Sequence, residues 1–286
     1  MIPSGRAMIG RGWNGRAASG RARSGRPAKR RRDPLWMRLL PALSVVLFVA
    51  AWEAAVRYGD VPPIILPAPS SIARYLLAMI ADGSLPWNLA VTFMRIMAGF
   101  LVAGVLGVLV GVLMGMSKVV ARVLDPWIAA LYPLPKISLI PLLIIWLGTG
   151  EAYILTISAI TAFFPVVIST YAGIRQTSQE LVKAARDLGA NTRQIQMNVV
   201  IPAAIPSIFA GLHLGMGVTI ILVVAAEMIG GSNQSGVGWL LIRYGQVMET
   251  EKVFAALVAL AVFGGIIIKA QQAVDRWVAP WAVGRS

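Results

Sequence analysis

With no cysteine and a single histidine, His213, among 286 residues, this sequence has little from which to build a reactive centre. A disulfide scaffold, a thiolate-ligated metal, a thiol nucleophile and a His-rich metal site are all excluded. What remains is a small set of ionisable residues set in or beside long apolar runs: Glu53, Arg95, Lys136, His213 and Glu227. Such a group at membrane depth faces protein or water, and marks either a solute path or a structural pair. Lys136 sits among Pro133, Pro135 and Pro141. Prolines interrupt a helix and can turn backbone groups toward a cavity, and a cation beside a broken helix suits an anion. Residue type leaves a second reading open, in which Lys136 snorkels from a span end. Glu227 ends an apolar run and reads as part of an external gate or as half of an ion pair. An anion path would not tolerate a bare carboxylate, so a partner is expected. Arg95 reads as an interfacial anchor or as the partner of an acid such as Glu53. Glu53 and Arg57 are four apart, which puts them on one helix face.

The elements around these groups follow from composition. Hydrophobic residues make up 57% of the chain and charged residues 13%, where a soluble protein carries about 25% charged residues. The bulk of the chain therefore belongs in lipid. A hydrocarbon core needs about 20 apolar residues per helical crossing. Six segments qualify, at about 37–57, 94–116, 126–149, 152–174, 203–227 and 253–272. Period-two alternation is missing, which excludes a β-barrel. The expected fold is all-α, a polytopic bundle of about six spans. Gly107, Gly111 and Gly115, and Gly211 and Gly215, are spaced four apart; small residues at this spacing let helices approach closely in lipid.

Charge sets the expected orientation. The net +14 is mostly a property of the tail: residues 1–38 hold 11 of 26 Lys and Arg and one of 12 acids. Residues 1–36 read as a disordered basic cytoplasmic tail, with 37–286 as the transmembrane domain. The tail fits a topology determinant better than a nucleic-acid binder, and translation starting at Met37 is a third reading. The positive-inside rule then places both termini, the Lys118/Arg122 loop and the 175–202 loop in the cytoplasm. The loops 58–93, 148–151 and 228–252 fall outside.

The 175–202 loop has its own pattern. Leu181, Ala184, Ala185 and Leu188 recur at helical spacing on one apolar face. Gly189 supplies a left-handed stop. Asn191 and Gln194 form a capping-box pair for a second helix running to Pro202. Pattern alone fits equally a docking element for another protein and an amphipathic helix on the membrane surface.

Lys183-Ala184-Ala185, three residues, Gly189, nine residues and Val199-Val200-Ile201-Pro202 together resemble the EAA loop of importer-type ABC permeases. Lys183 stands where that family usually has Glu, and Val199 and Ile201 are aliphatic replacements. The likeness runs over about residues 40–280. It includes Leu66-Pro67-Ala68-Pro69-Ser70, Thr92 to Phe100, Pro133-Leu134-Pro135-Lys136, Pro141-Leu142, Trp146-Leu147-Gly148, Gly150-Glu151 and Ala226-Glu227-Met228, all similar to the nitrate, sulfonate and taurine branch. The resemblance implies a type I importer permease fold, with Leu181, Lys183, Ala184, Ala185, Leu188, Gly189 and Pro202 coupling to a separate ATPase. It implies a pair of ATPase subunits that bind ATP and Mg, a second permease copy in a homodimer, an extracytoplasmic substrate-binding protein and a place in a bacterial inner membrane. This chain would bind no cofactor and no nucleic acid. It has no GxxxxGK[ST] phosphate loop, so it is expected to be a non-catalytic pathway subunit. The solute expected is a small anion of the aliphatic sulfonate, taurine or nitrate class, through a path including Lys136, His213 and Glu227. His213 stands where relatives often carry Arg, which marks either a different solute or helix packing. Phthalate-like acids or a pyrimidine are alternative cargoes, and an ion-coupled secondary transporter is the alternative mechanism.

Overall fold

A computed structural model describes residues 35–230 and 235–280. Of the expected basic tail at 1–36, residues 1–34 lie outside that range, and 35 and 36 belong to the first helix. Regular structure among the described residues is helical throughout. The chain divides into two compact units, Met1–Leu47 and Phe48–Ser286. The described part of the first unit is the start of α1 (Leu35–Tyr58), where Leu43, Val45, Val46 and Leu47 are exposed. Apolar side chains in that state suit hydrocarbon and not water.

The second unit holds α2 (Pro69–Ala81), α3 (Ser84–Met116), α4 (Lys118–Leu131), a 3-10 turn (Lys136–Leu139), α5 (Ile140–Leu147), α6 (Glu151–Arg175), α7 (Gln179–Asp187), α8 (Thr192–Ile195), a π turn (Gln196–Val200), α9 (Ile201–Gly230), α10 (Val237–Gln246) and α11 (Thr250–Val278). Five helical stretches among the described residues are long and apolar enough to cross a membrane. A sixth crossing exists if α4 and the 136–147 segment, bent by 88°, count as one.

The expected continuous span at 126–149 is therefore broken. Single prolines inside α4, α6 and α9 (Pro126, Pro165 and Pro206) are absorbed. Pro133 and Pro135 remove two backbone donors within three residues, and each ring crowds the carbonyl four residues back. The chain turns at that point, and the Pro135 carbonyl restarts it by accepting Ser138 N–H at 3.0 Å and Ser138 Oγ–H at 2.7 Å.

Two of the expected loops are folded too. The 58–93 segment contains α2 and the first ten residues of α3, and 228–252 contains α10. They pack as a cap: Ile72, Met79 and Leu85 meet Leu240, Ala255 and Ala259. The span expected from about 94 begins ten residues earlier in α3, because the polar Asn88 and Thr92 read as loop residues, yet both are buried with their polar atoms satisfied by protein.

Helix α6 lies between α3 and α9, and glycine sets both distances. A Cβ on Gly107 would stand 2.9 Å from Val166, on Gly111 2.6 Å from Thr170, and on Gly115 2.5 Å from Ile174. On the other face, a Cβ on Gly211 would meet Ser169 at 2.6 Å and one on Gly215 the Ala162 carbonyl at 3.2 Å. The four-residue spacing thus brings backbones together where hydrophobic driving force is absent.

Candidate coupling loop and solute pathway

The 176–202 segment builds a helical hairpin from local signals. Ser178 Oγ accepts Glu180 N–H at 3.2 Å and opens α7. Gly189, at φ 86°, closes it: Gly189 N–H donates to Arg186 O at 2.9 Å and Ala190 N–H to Ala185 O at 3.0 Å. This is the Schellman arrangement that glycine permits. Asn191 and Gln194 then exchange side-chain and backbone bonds, both 2.9 Å, and open α8. Leu188 is 89% exposed and Leu181 54%. Lys183 and Ala184 are exposed and Ala185 is half-buried.

The expected stop at Pro202 is absent. The π turn over Gln196–Val200 widens the helix just before Pro202 and relieves the ring's clash with the carbonyl four residues back. The chain passes into α9 without a break, and Thr192–Gly230 forms one 39-residue helical path. The hairpin is thereby joined directly to a membrane span.

Lys136 opens the 3-10 turn at the break between α4 and α5. Its ammonium donates to Tyr132 O and stands 5.0 Å from the ring centroids of both Tyr132 and Phe164. It lies at a cavity of about 410 Å³ lined by Leu106, Leu131, Leu134, Leu139 and Phe163. Among the described residues no carboxylate reaches it. The cavity wall is almost wholly apolar, so the aliphatic stem of Lys136 lines it while the ammonium is held by the Tyr132 carbonyl and the two rings.

His213 and Glu227 are absent from the lining of that cavity. His213 Nε2 lies 2.8 Å from the buried Asp275 Oδ2 on α11, without the alignment of a hydrogen bond. The two side chains link α9 to α11.

Glu227 lies in a buried polar cluster and has the partner expected for it. Its carboxylate accepts Arg95 Nη1 at 2.8 Å, Thr92 Oγ1 at 3.0 Å and the Gly238 amide at 2.9 Å. Arg95 also grips Glu151, with Nε at 2.8 Å from Oε2, and donates to Ser235 O at 2.9 Å. Asn88 Oδ1 accepts Gly236 N–H at 2.6 Å, and Thr92 Oγ1 accepts Val237 N–H at 2.9 Å. The cluster ties α3, the start of α6, the end of α9 and the start of α10 together. Arg95 is thus the expected partner of an acid, though of Glu227 and Glu151 in place of Glu53, and it is not an interfacial anchor. Glu53 instead takes Arg57 Nε at 2.5 Å and the Ser70 amide at 3.0 Å. The missed roles were those of Asn88 and Glu151. One arginine and two glutamates at the ends of three apolar runs were the available signal, since each needs a partner in lipid.

A family model for the binding-protein-dependent transport system inner membrane component matches residues 103–280. The chain belongs to that family. This permease is 34% identical over 257 residues, 89% of its length and 90% of the relative's, to SsuC of Bacillus subtilis (strain 168), named for aliphatic sulfonates transport. It is 30% identical over 243 residues, 83% of its length and 88% of the relative's, to the taurine transport system permease protein TauC of Escherichia coli (strain K12). Among solved structures it resembles a chain of the MetNI methionine ABC transporter in inward-facing conformations, with TM-score 0.51 and 20% identity over 65% of this chain and 92% of that one. That likeness carries the fold, an ABC importer permease bundle. The permease is a multi-pass membrane protein, and its family works with an ATPase and a substrate-binding protein.

Proposed function

We propose that this chain is the membrane pathway of an ATP-driven importer for a small anion of the aliphatic sulfonate, taurine or nitrate class. The observation that carries the coupling is the exposure of Leu181 and Leu188 on a hairpin continuous with α9. Exposed apolar side chains on a rigid turn mark an interaction site, and here the turn is mechanically joined to a span. Leu181, Lys183, Ala184, Ala185, Leu188 and Gly189 form the contact with the ATPase, and Pro202 marks where it enters the span. The hairpin and both termini are cytoplasmic, following the positive-inside rule. ATP and Mg belong to a pair of ATPase subunits, two copies of this chain form the bundle, and a binding protein delivers solute from the other side in a bacterial inner membrane. This chain performs no bond chemistry.

The relatives' names support the anion class, and Lys136 offers it a landing point. The tetrahedral or planar oxyanion meets the ammonium, and an alkyl body meets Leu134, Leu139 and Phe163 in the cavity. His213 pairs with Asp275 and serves helix packing in this scheme. Glu227 is buried against Arg95 and is not in the lining of the Lys136 cavity, so it does not face the solute there.

The experiment is uptake of taurine, an alkanesulfonate and nitrate into vesicles holding the complete complex, with and without ATP. ATP-dependent uptake of one of these, lost when Leu181 and Leu188 become Ser while the ATPase still hydrolyses ATP, is the expected result. Uptake without ATP, driven by a proton or sodium gradient, overturns it.

A further inference from the structure

A second cleft, of about 590 Å³, opens at the end of the bundle where α3 finishes, α4 begins and α6 finishes. Unlike the almost wholly apolar Lys136 cavity, it has a wall of mixed polar and apolar surface. Lys118 and Arg122 reach it from α4, Arg175 from α6 and Gln196 from the π turn, with Asp125 the acid in its lining. Among the described residues, none of these three cations makes an ion pair. Arg175 hydrogen-bonds Tyr171 Oη at 3.1 Å and lies 5.7 Å from the centroid of the same ring. Three cations against one acid thus leave two net positive charges facing one concave surface. All three side chains are exposed, so the fold does not need them there.

Depth and flank identify the occupant. Met116, Lys118 and Arg175 lie at span ends, which is headgroup level. On the same helix as Lys118 and Arg122, Val119 is 72% exposed and Val123 60%. Leu113, one turn before the end of α3, is also exposed. A polar, cationic recess bordered by bare aliphatic side chains matches one molecule with a phosphate and two acyl chains. We propose that this cleft binds the phosphodiester headgroup of an anionic phospholipid, with Lys118, Arg122 and Arg175 on the phosphate oxygens and acyl chains along Leu113, Val119 and Val123. Basic pockets between helices at a membrane surface recognise such headgroups. Bound there, the lipid bridges α4 to α6 beside the hairpin and steadies its base. The inference does not depend on the transported solute or on ATPase coupling.

Native mass spectrometry of the protein in mild detergent tests it. The probe is a phosphatidylglycerol–phosphatidylcholine mixture, with inorganic phosphate added alone in a parallel arm. The wild type should retain phosphatidylglycerol over phosphatidylcholine. Each of Lys118→Gln, Arg122→Gln and Arg175→Gln should weaken retention by about fivefold, and Asp125→Asn should strengthen it. Because the Lys118 and Arg122 side chains are exposed and make no internal hydrogen bond or ion pair among the described residues, their variants should melt at the wild-type temperature without added lipid. Equal retention by the triple variant overturns the proposal. So does thermal stabilisation by inorganic phosphate equal to that by the lipid, which would make the cleft a free-anion site. Failure of uptake in the transport assay would leave these outcomes unchanged.

Discussion

Arg95 decides more of this structure than any other charged residue. It is 3% exposed and bound to two carboxylates and a carbonyl from three other parts of the chain. A buried cation has a large desolvation cost, which is offset here only because every partner is held in place. Arg95→Met should therefore destabilise the protein by about 3–5 kcal/mol, since the buried Glu227 carboxyl would be left with no cation beside it. Adding Glu227→Gln should recover part of that loss. Thermal unfolding in detergent measures both, and additive losses in the double variant would disprove the coupling. Lys136 behaves differently because it is only half-buried and serves no partner beyond Tyr132 and Phe164. Lys136→Gln should leave melting unchanged and raise the concentration of anion needed for half-maximal uptake, while Lys136→Arg retains most function. Unchanged uptake in Lys136→Gln would move the pathway elsewhere.

Among the elements, α6 is the spine and glycine is its fitting. Gly111→Leu places a side chain where even a Cβ would be 2.6 Å from Thr170. Overpacking of this kind costs about 1–3 kcal/mol, read as a lower melting temperature. Gly217 on α9 has nothing within 4 Å of its Cβ position. Gly217→Ala should be neutral or stabilising by about 0.5–1 kcal/mol through helix propensity, and equal damage from both substitutions would rule out the packing account. The hairpin is a separate case. Gly189 also has open space around it, but its φ of 86° penalises other residues. Gly189→Asp should cost about 1–2 kcal/mol of local strain without preventing insertion, and should abolish transport by altering the contact surface. Normal uptake in Gly189→Asp would remove the hairpin from the coupling mechanism.

At the scale of the molecule, Thr192–Gly230 links two remote features. One end continues into the hairpin with Leu188, and the other carries Glu227 into the Arg95 cluster. A helix of that length spans roughly 58 Å at 1.5 Å per residue, so it can carry displacement from one membrane face to the other. If the hairpin moves with the ATPase, the Arg95 cluster is where that motion meets α3, α6 and α10. Leu181→Ser with Leu188→Ser should then lower the number of solute molecules moved per ATP while leaving the permease folded. The check is simultaneous uptake and phosphate release in vesicles, and an unchanged ratio would reject the lever.

Much of this was legible before any coordinates. Composition placed the chain in lipid, since so few charges cannot wet a surface of this size. Local signals read correctly because their physics is local: the Gly189 stop and the Asn191–Gln194 box involve residues at most five apart, as does the Glu53–Arg57 pair. The glycine spacing announced close packing, although not against which helix. Three matters waited for the tertiary structure. Whether prolines break a span depends on the surroundings that satisfy the freed carbonyls, so Pro165 and Pro206 sit inside helices while Pro133 and Pro135 turn the chain. Pro202 continued because a π turn preceded it, and a change of hydrogen-bond register leaves no mark in residue type. The partners of Arg95 lie 56 and 132 residues away; lipid demands that a buried arginine be paired, but only the packing of α3 against α6 and α9 decides with which acid.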